Sequence, residues 1–407
     1  MKNTEQLLDN INKTTIFCSN LGLGEQGAVL SQIPSGIFIC PNVEYARKMK
    51  LQLDALNKKC VIVDDFDKPY TISKFSSKDN LYDLICAEYA LTQNDTILIS
   101  TPRILFSHIQ KFDVFNENIK SIKVGENLDI TELEKYLIKV KYRKVESVTN
   151  KGEFSRRGDV LDIFNIKDET ATRIDFFDDL IEEIHTFDTL SYTKLSKLNE
   201  FTILPADWIY LPSSLNAVTH EFNKYLNINT TALNVVETIE RGDFIPSEFI
   251  APFTSDLIQV LNSGKTIIIA DELSFETISN NYIESIFSKI ELVFKDENLI
   301  NIYKNNQKIK NIDEFLTNFS KNLIFFENFD INTLDLKNKL NSKILSLNYD
   351  TINFSSYLFN LNLLPKETSK YFDKQIYLCL ENADTINSIK KILGGYLFQP
   401  LFLSFLQ

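Results

Sequence analysis

The sequence predicts an α/β protein: a parallel-sheet domain split by an inserted, mainly antiparallel β domain and followed by a small α/β C-terminal piece. Three observations predict it. Residues 1–125 alternate short apolar runs with amphipathic segments, the arrangement of a doubly wound parallel sheet. Residues 152–188 change period: Val160, Ile163, Ile174 and Phe176 are flanked by charged residues in near-alternation, as in strands with one wet face. After residue 212 the strand–helix alternation returns. The divisions expected are 1–125, 126–204, 205–345 and 346–407.

In order, TTIFCSN, GIFICP, KCVIVDD and DTILIST are the strands of the first part, and 43–57, 79–93 and 102–110 its helices. DITELEKYLIKVKYRKVESV, 129–148, supplies a helix and a strand leading into the changed region. There, Gly158 and the run 165–170 carry turn chemistry, and the paired acids Asp178 and Asp179 mark a further reversal before Ile181 and Ile184. A small sheet of three or four strands is expected. FTILPADWIYLP, 201–212, with Pro205 and Pro212, returns the chain to the first domain; helices follow at 213–225 and 273–288 and a strand at 321–330. From about 346 the chain loosens, and 375–395 reads as one strand and one helix.

The polar face of the changed region is the candidate site. Arg156, Arg157 and Arg173 are expected to sit there among exposed aromatics, Phe154 and Phe177. A planar guanidinium beside an aromatic ring is the composition of a protein-binding hot spot. The alternative is a solvated face whose arginines pair weakly with Asp159, Asp175 and Glu182.

The string GEFSRRGDVLDIF, 152–164, continued by TRIDFFDDLIEEIHTFD, 172–188, resembles the insertion domain shared by the excision-repair protein UvrB and the transcription-repair coupling factor Mfd. The resemblance implies a docking surface for UvrA, with Arg157, Arg173 and Phe177 at family positions that contact it. It implies further that the flanking halves form a degenerate P-loop NTPase-like domain, as in the N-terminal UvrB-homology region of the coupling factor. The segment 64–91, with only Phe66, Tyr70 and Phe75 as sparse aromatics in its connection, lacks the long DNA-gripping hairpin that UvrB carries there. The RNA-polymerase-binding and translocase domains are not recognised in the sequence. No RNA polymerase contact is therefore expected, and the UvrA surface is expected to be unmasked.

Composition limits the partners. A net charge of −12 and a pI near 5.0 argue against broad capture of a phosphate backbone, so DNA contact is expected to be weak or absent. Five singly placed cysteines, Cys18, Cys40, Cys60, Cys86 and Cys379, suit reduced thiols. With no secretory or membrane signal read, a cytoplasmic monomer is expected.

Two nucleotide-like signatures are set aside. Gly22, Gly24 and Gly27 form G-x-G-x-x-G after a strand, but without a G-K-[ST] ending there is no lysine for phosphates and no hydroxyl for magnesium. Gly264, Lys265 and Thr266 precede an apolar run ending in Asp271 and Glu272. Here helix comes before strand, so Gly264 reads as a helix stop and Asp271 as a cap. No second histidine or cysteine stands at i+3 or i+4 from His108, His185 or His220, and neither metal, cofactor nor catalysis is expected. The competing function is a nucleotide-binding enzyme that uses the glycine loop or Lys265.

Overall fold

Apolar runs too short for helices and apolar at nearly every position must become strands covered on both sides. In the computed structural model, which describes residues 2–63, 78–106, 112–209, 212–227, 230–241, 265–294, 296–306, 312–327, 339–340 and 342–349, they do. Strands β1 (Thr15–Ser19), β2 (Gly36–Ile39), β3 (Cys60–Ile62) and β4 (Ile97–Ser100) follow the order read from sequence. They join Thr266–Ile269, Leu323–Glu327 and Ile344–Asn348 from beyond the insertion in one seven-stranded sheet. Every pairing within it is parallel.

The period of two separates its two cores. Phe17, Ile37, Ile39, Leu98, Ile267 and Phe325 pack on one side against apolar residues from 84–91, 215–239 and 275–319. Ile16, Cys18, Phe38, Ile99, Ile268 and Phe326 pack on the other against helices α1 (Lys2–Asn10), α2 (Leu23–Gln32) and α3 (Val43–Ala55). Strand spacing is tight enough to fix Gly36, where a Cβ would stand 2.6 Å from the Thr266 carbonyl oxygen. Cys18 and Cys40 are buried and Cys60 and Cys86 half-buried, all four as thiols.

The helix α4 (Lys78–Thr92) agrees with the sequence, but 102–110 opens as a 3-10 turn, Pro102–Phe106, and 107–111 lie outside the described residues. A short helix α5 (Phe112–Glu117) and a helix Thr230–Arg241 had no counterpart in the reading. Ile344–Asn348, where the chain was expected to loosen, is instead the edge strand beside β1. Phe66, Tyr70, Phe75, His108, Gly264, Cys379 and all residues from 350 lie outside the described residues. None of the helices searched among the described residues is long and apolar enough to cross a membrane.

The chain leaves the large sheet through β5 (Lys120–Lys123), then forms α6 (Ile130–Lys139) and a second sheet. That sheet contains β6 (Arg143–Lys144), β7 (Glu153–Arg157), β8 (Val160–Phe164), β9 (Ala171–Phe177), β10 (Leu180–Phe187) and β11 (Lys194–Leu198). It has six strands, not three or four, because the segments flanking the strongest pattern pair as well. All neighbours are antiparallel except β6 and β7. The chain returns through β12 (Glu200–Ile203), paired antiparallel with β5. Gly158 and Asp178 take the left-handed conformation, φ 63° and 51°, at the two hairpin turns anticipated for them.

Phe154, Leu161, Ile163, Ile174, Phe176, Ile181 and Ile184 form the dry face, packed against Ile130, Leu133 and Leu137 of α6 and against Tyr82 and Ile85 of α4. Ile181 and Ile184 are three apart yet both point inward because the β9–β10 register shifts between Ile181 and Glu183. A bulge of this kind re-aims every side chain beyond it.

Candidate partner-binding face

Strand parity decides which side chains can meet a partner. Phe154 and Arg156 share one face of β7, and Ser155 and Arg157 the other. Two expectations are thereby corrected. Phe154 is 0% exposed, a core residue of the dry face. Arg156 points the same way, toward α6, where its guanidinium donates to Glu134 Oε2 and Thr131 Oγ1, each at 3.2 Å. Strict alternation along residues 153–157 was the signal that could have separated them from Arg157.

Across the wet face, one cross-strand row runs Ser155, Asp162, Arg173, His185, Lys197. Arg173 donates from Nε to Asp162 Oδ1 at 2.7 Å and from a terminal nitrogen to Oδ2 at 2.8 Å, a two-bond fork. The Asp162 side chain is only 3% exposed, so the pair is anchored from below while the guanidinium reaches the surface. None of the three acids expected as partners takes this role.

Aromatic rings stand over the same guanidinium. Its central carbon lies 5.1 Å from the Phe187 ring centroid and 5.9 Å from that of Tyr192, within cation–π range. Tyr192 stacks on Phe187 at 5.5 Å. The turn that delivers it is built by Asp188, whose carboxylate accepts from the backbone of Leu190 and Ser191 and holds Tyr192 at φ 56°. Arg157 also approaches that ring, 6.0 Å from its centroid, and donates to Glu146 O at 2.8 Å and Ser147 Oγ at 2.5 Å. Phe177, four residues along β9 from Arg173 and on the same face, is 64% exposed. Arg157, Arg173 and Phe177 are thus on one surface. Phe187, Tyr192 and Asp162 were missed because their importance comes from cross-strand register and from a turn, neither written in local pattern.

Beside this row, past the β9–β10 bulge, Glu183 pairs with Asp175 on the face that His185 shares. His185 is 7% exposed, and its Nδ1 stands 3.5 Å from Asp175 Oδ2 and 3.8 Å from Glu183 Oε2. Burial, then the charge of Lys194, holds the imidazole below its usual pKa and so neutral at pH 7. Lys194 and Lys197 draw the Glu183 carboxyl down to about 2. The i+3 and i+4 search for metal-type partners is a helix rule and cannot find ligands at i+2 or across a hairpin.

The two nucleotide-like signatures are engaged elsewhere. Gly24 and Gly27 lie inside α2, and a Cβ on Gly27 would stand 2.5 Å from Gln52 Oε1 on α3. The ammonium of Lys265 donates to Gln93 O at 2.9 Å and Ser35 Oγ at 3.3 Å. It stands just before Thr266–Ile269, at the end of the parallel sheet opposite the one where α/β proteins bind phosphates. Asp271 caps the helix Glu272–Phe294 through Ser274.

Residues 121–208, the stretch that contains this face, match the family profile described as the UvrB interaction domain. The UvrABC system protein B of Thermotoga neapolitana is 34% identical over 115 residues, covering 28% of this chain and 17% of the relative. That of Francisella tularensis is 33% identical over 117 residues, with the same coverage. The transcription-repair-coupling factor of Haemophilus influenzae is 38% identical over 89 residues, 22% of this chain and 8% of the relative. The chain therefore spans about one sixth or less of these curated relatives. Within it, the UvrB interaction domain is present.

Proposed function

We propose that this chain is the UvrB-homology module of a transcription-repair coupling factor, that it recruits UvrA, and that it does so without catalysis of its own. The observation that carries the reading is the guanidinium–aromatic surface of Arg157, Arg173, Tyr192 and Phe177 on the open face of the segment that matches the UvrB interaction domain. A hot spot needs rigid, partly desolvated anchors, and the Asp162 fork and the Phe187 stack provide that rigidity. The 38% identity to a coupling factor supports that branch. In this reading 126–204 is the recruiting insertion between 1–125 and 205–345, and 346–407 opens a third domain. The packing of Gly27 and the placement of Lys265 favour binding over nucleotide chemistry.

The test is titration of UvrA with the 407-residue chain and its variants. Phe177→Ala and Arg157→Ala are expected to weaken binding about thirtyfold each, roughly 2 kcal/mol, with the fold unchanged. Unaltered curves for both would reject the surface. Saturable ATP binding at micromolar concentration in equilibrium dialysis would instead favour the nucleotide-binding enzyme.

A further inference from the structure

The least explained group on the wet face is the His185 imidazole. It is more than nine-tenths buried, and its Nδ1 has no hydrogen-bond partner. A buried ring nitrogen left unsatisfied costs stability, so its retention calls for something that occupies the space in front of it. Two carboxylates face that same space. Asp175 reaches it from β9 and Glu183 from β10, and the three ligand atoms all lie within 4.8 Å of one another. The separations of 3.5 and 3.8 Å are too long for hydrogen bonds. They are close to the ~3.3 Å spacing of neighbouring ligand atoms around a tetrahedral ion with bonds of about 2.0–2.1 Å.

We propose that Asp175, Glu183 and His185 form a divalent transition-metal site, with Zn2+ as the best-fitting ion and water completing its coordination. One imidazole with two carboxylates suits zinc and its neighbours in the series, whereas calcium and magnesium take oxygen ligands. The β9–β10 bulge makes the set possible, because it brings Glu183 and His185 onto the face that Asp175 occupies. Lys194 and Lys197 hold the Glu183 carboxylate. Both are exposed ion pairs on long side chains, the kind worth little, so the metal exchanges for the lysine that shares Glu183 Oε2. The site borders the Arg173 surface without including it and stands whether or not UvrA is the partner.

The experiment is calorimetric titration of the full 407-residue chain with Zn2+, repeated on three variants. The wild-type chain is expected to bind one equivalent at micromolar concentration. Asp175→Asn and His185→Gln are expected to weaken it at least tenfold, and Lys194→Met to tighten it severalfold by removing the competing cation. Only three histidines exist, so the imidazole C–H resonance lost in His185→Gln can be assigned, and zinc is expected to shift it in the wild-type chain. Should His185→Gln fail to fold, Asp175→Asn, Lys194→Met and the remaining histidine spectrum still decide. No binding at millimolar zinc, or binding that none of these substitutions alters, overturns the proposal.

Discussion

In the large sheet Ile16 and Cys18 pack into one core and Phe17 into another, so neither face is open. In the inserted sheet Leu161 and Ile163 pack into a core, while Asp162 between them faces the other way and is held by Arg173, on a face where only a small cluster of Val148, Phe164, Ala171 and Phe187 is buried. A sheet wrapped by helices on both sides can offer a ligand only its strand ends. A sheet wrapped on one side can offer a whole face, and its arginines and aromatics occur there in rows set by register.

The sharpest way to break this contrast is Arg173→Ala. It strands the buried Asp162 carboxylate, and loss of about 3–5 kcal/mol is expected. Arg173 is therefore unsuited to a clean binding test. The single tryptophan, Trp208, is buried in the core beneath the inserted sheet, so its fluorescence during urea unfolding reads this loss. Pairing Arg173→Met with Asp162→Leu should recover much of it, as expected when the penalty comes from the uncompensated charge.

Acid should reach the insertion through Glu153. Burial raises its carboxyl, but the Thr149 and Asn150 backbone N–H groups and Arg143 outweigh it and bring the pKa from 4.5 down to about 2. A depressed pKa means stability present above about 4.5 and lost as pH falls through about 2, on the order of 3 kcal/mol in all. Glu153→Gln should be less stable at pH 7 and show a flatter Trp208 profile between those limits. A profile as steep as the wild type would show that other carboxylates govern acid sensitivity.

The large sheet has its own test in Gly36→Ala. The added methyl meets backbone of the adjacent strand 2.6 Å away, which cannot rotate aside, and a cost of about 2 kcal/mol is expected in thermal denaturation followed by circular dichroism. The smallest effect belongs to Arg156→Ala. It removes a part-exposed pair with Glu134 worth about 1 kcal/mol or less, and UvrA affinity should be unchanged because the side chain lies on the opposite face. A large loss of affinity would erase the distinction between the two faces.

Much of this was legible in the residues. The strands of 15–100 were readable because runs such as GIFI and ILIS have no polar side to mislead, and the turns at Gly158 and Asp178 because few residues accept positive φ. Arg157, Arg173 and Phe177, singled out by their family positions, share one surface because alternation along β7 and β9 puts them there. Phe154 and Arg156 were misplaced because the same alternation was not applied residue by residue. The neighbouring triad at His185 depends on a bulge that strand pattern alone does not locate.

The amino-acid order by itself determined the class of each sheet, since burial on two faces or on one dictates continuous or alternating apolar residues. Only the tertiary structure decided that Asp162 holds Arg173, that Tyr192 meets two guanidinium groups, and that Asp175 meets His185. Those contacts join residues 10 to 35 positions apart, and which pairs meet is set by strand register and by one inserted residue. Local composition constrains neither.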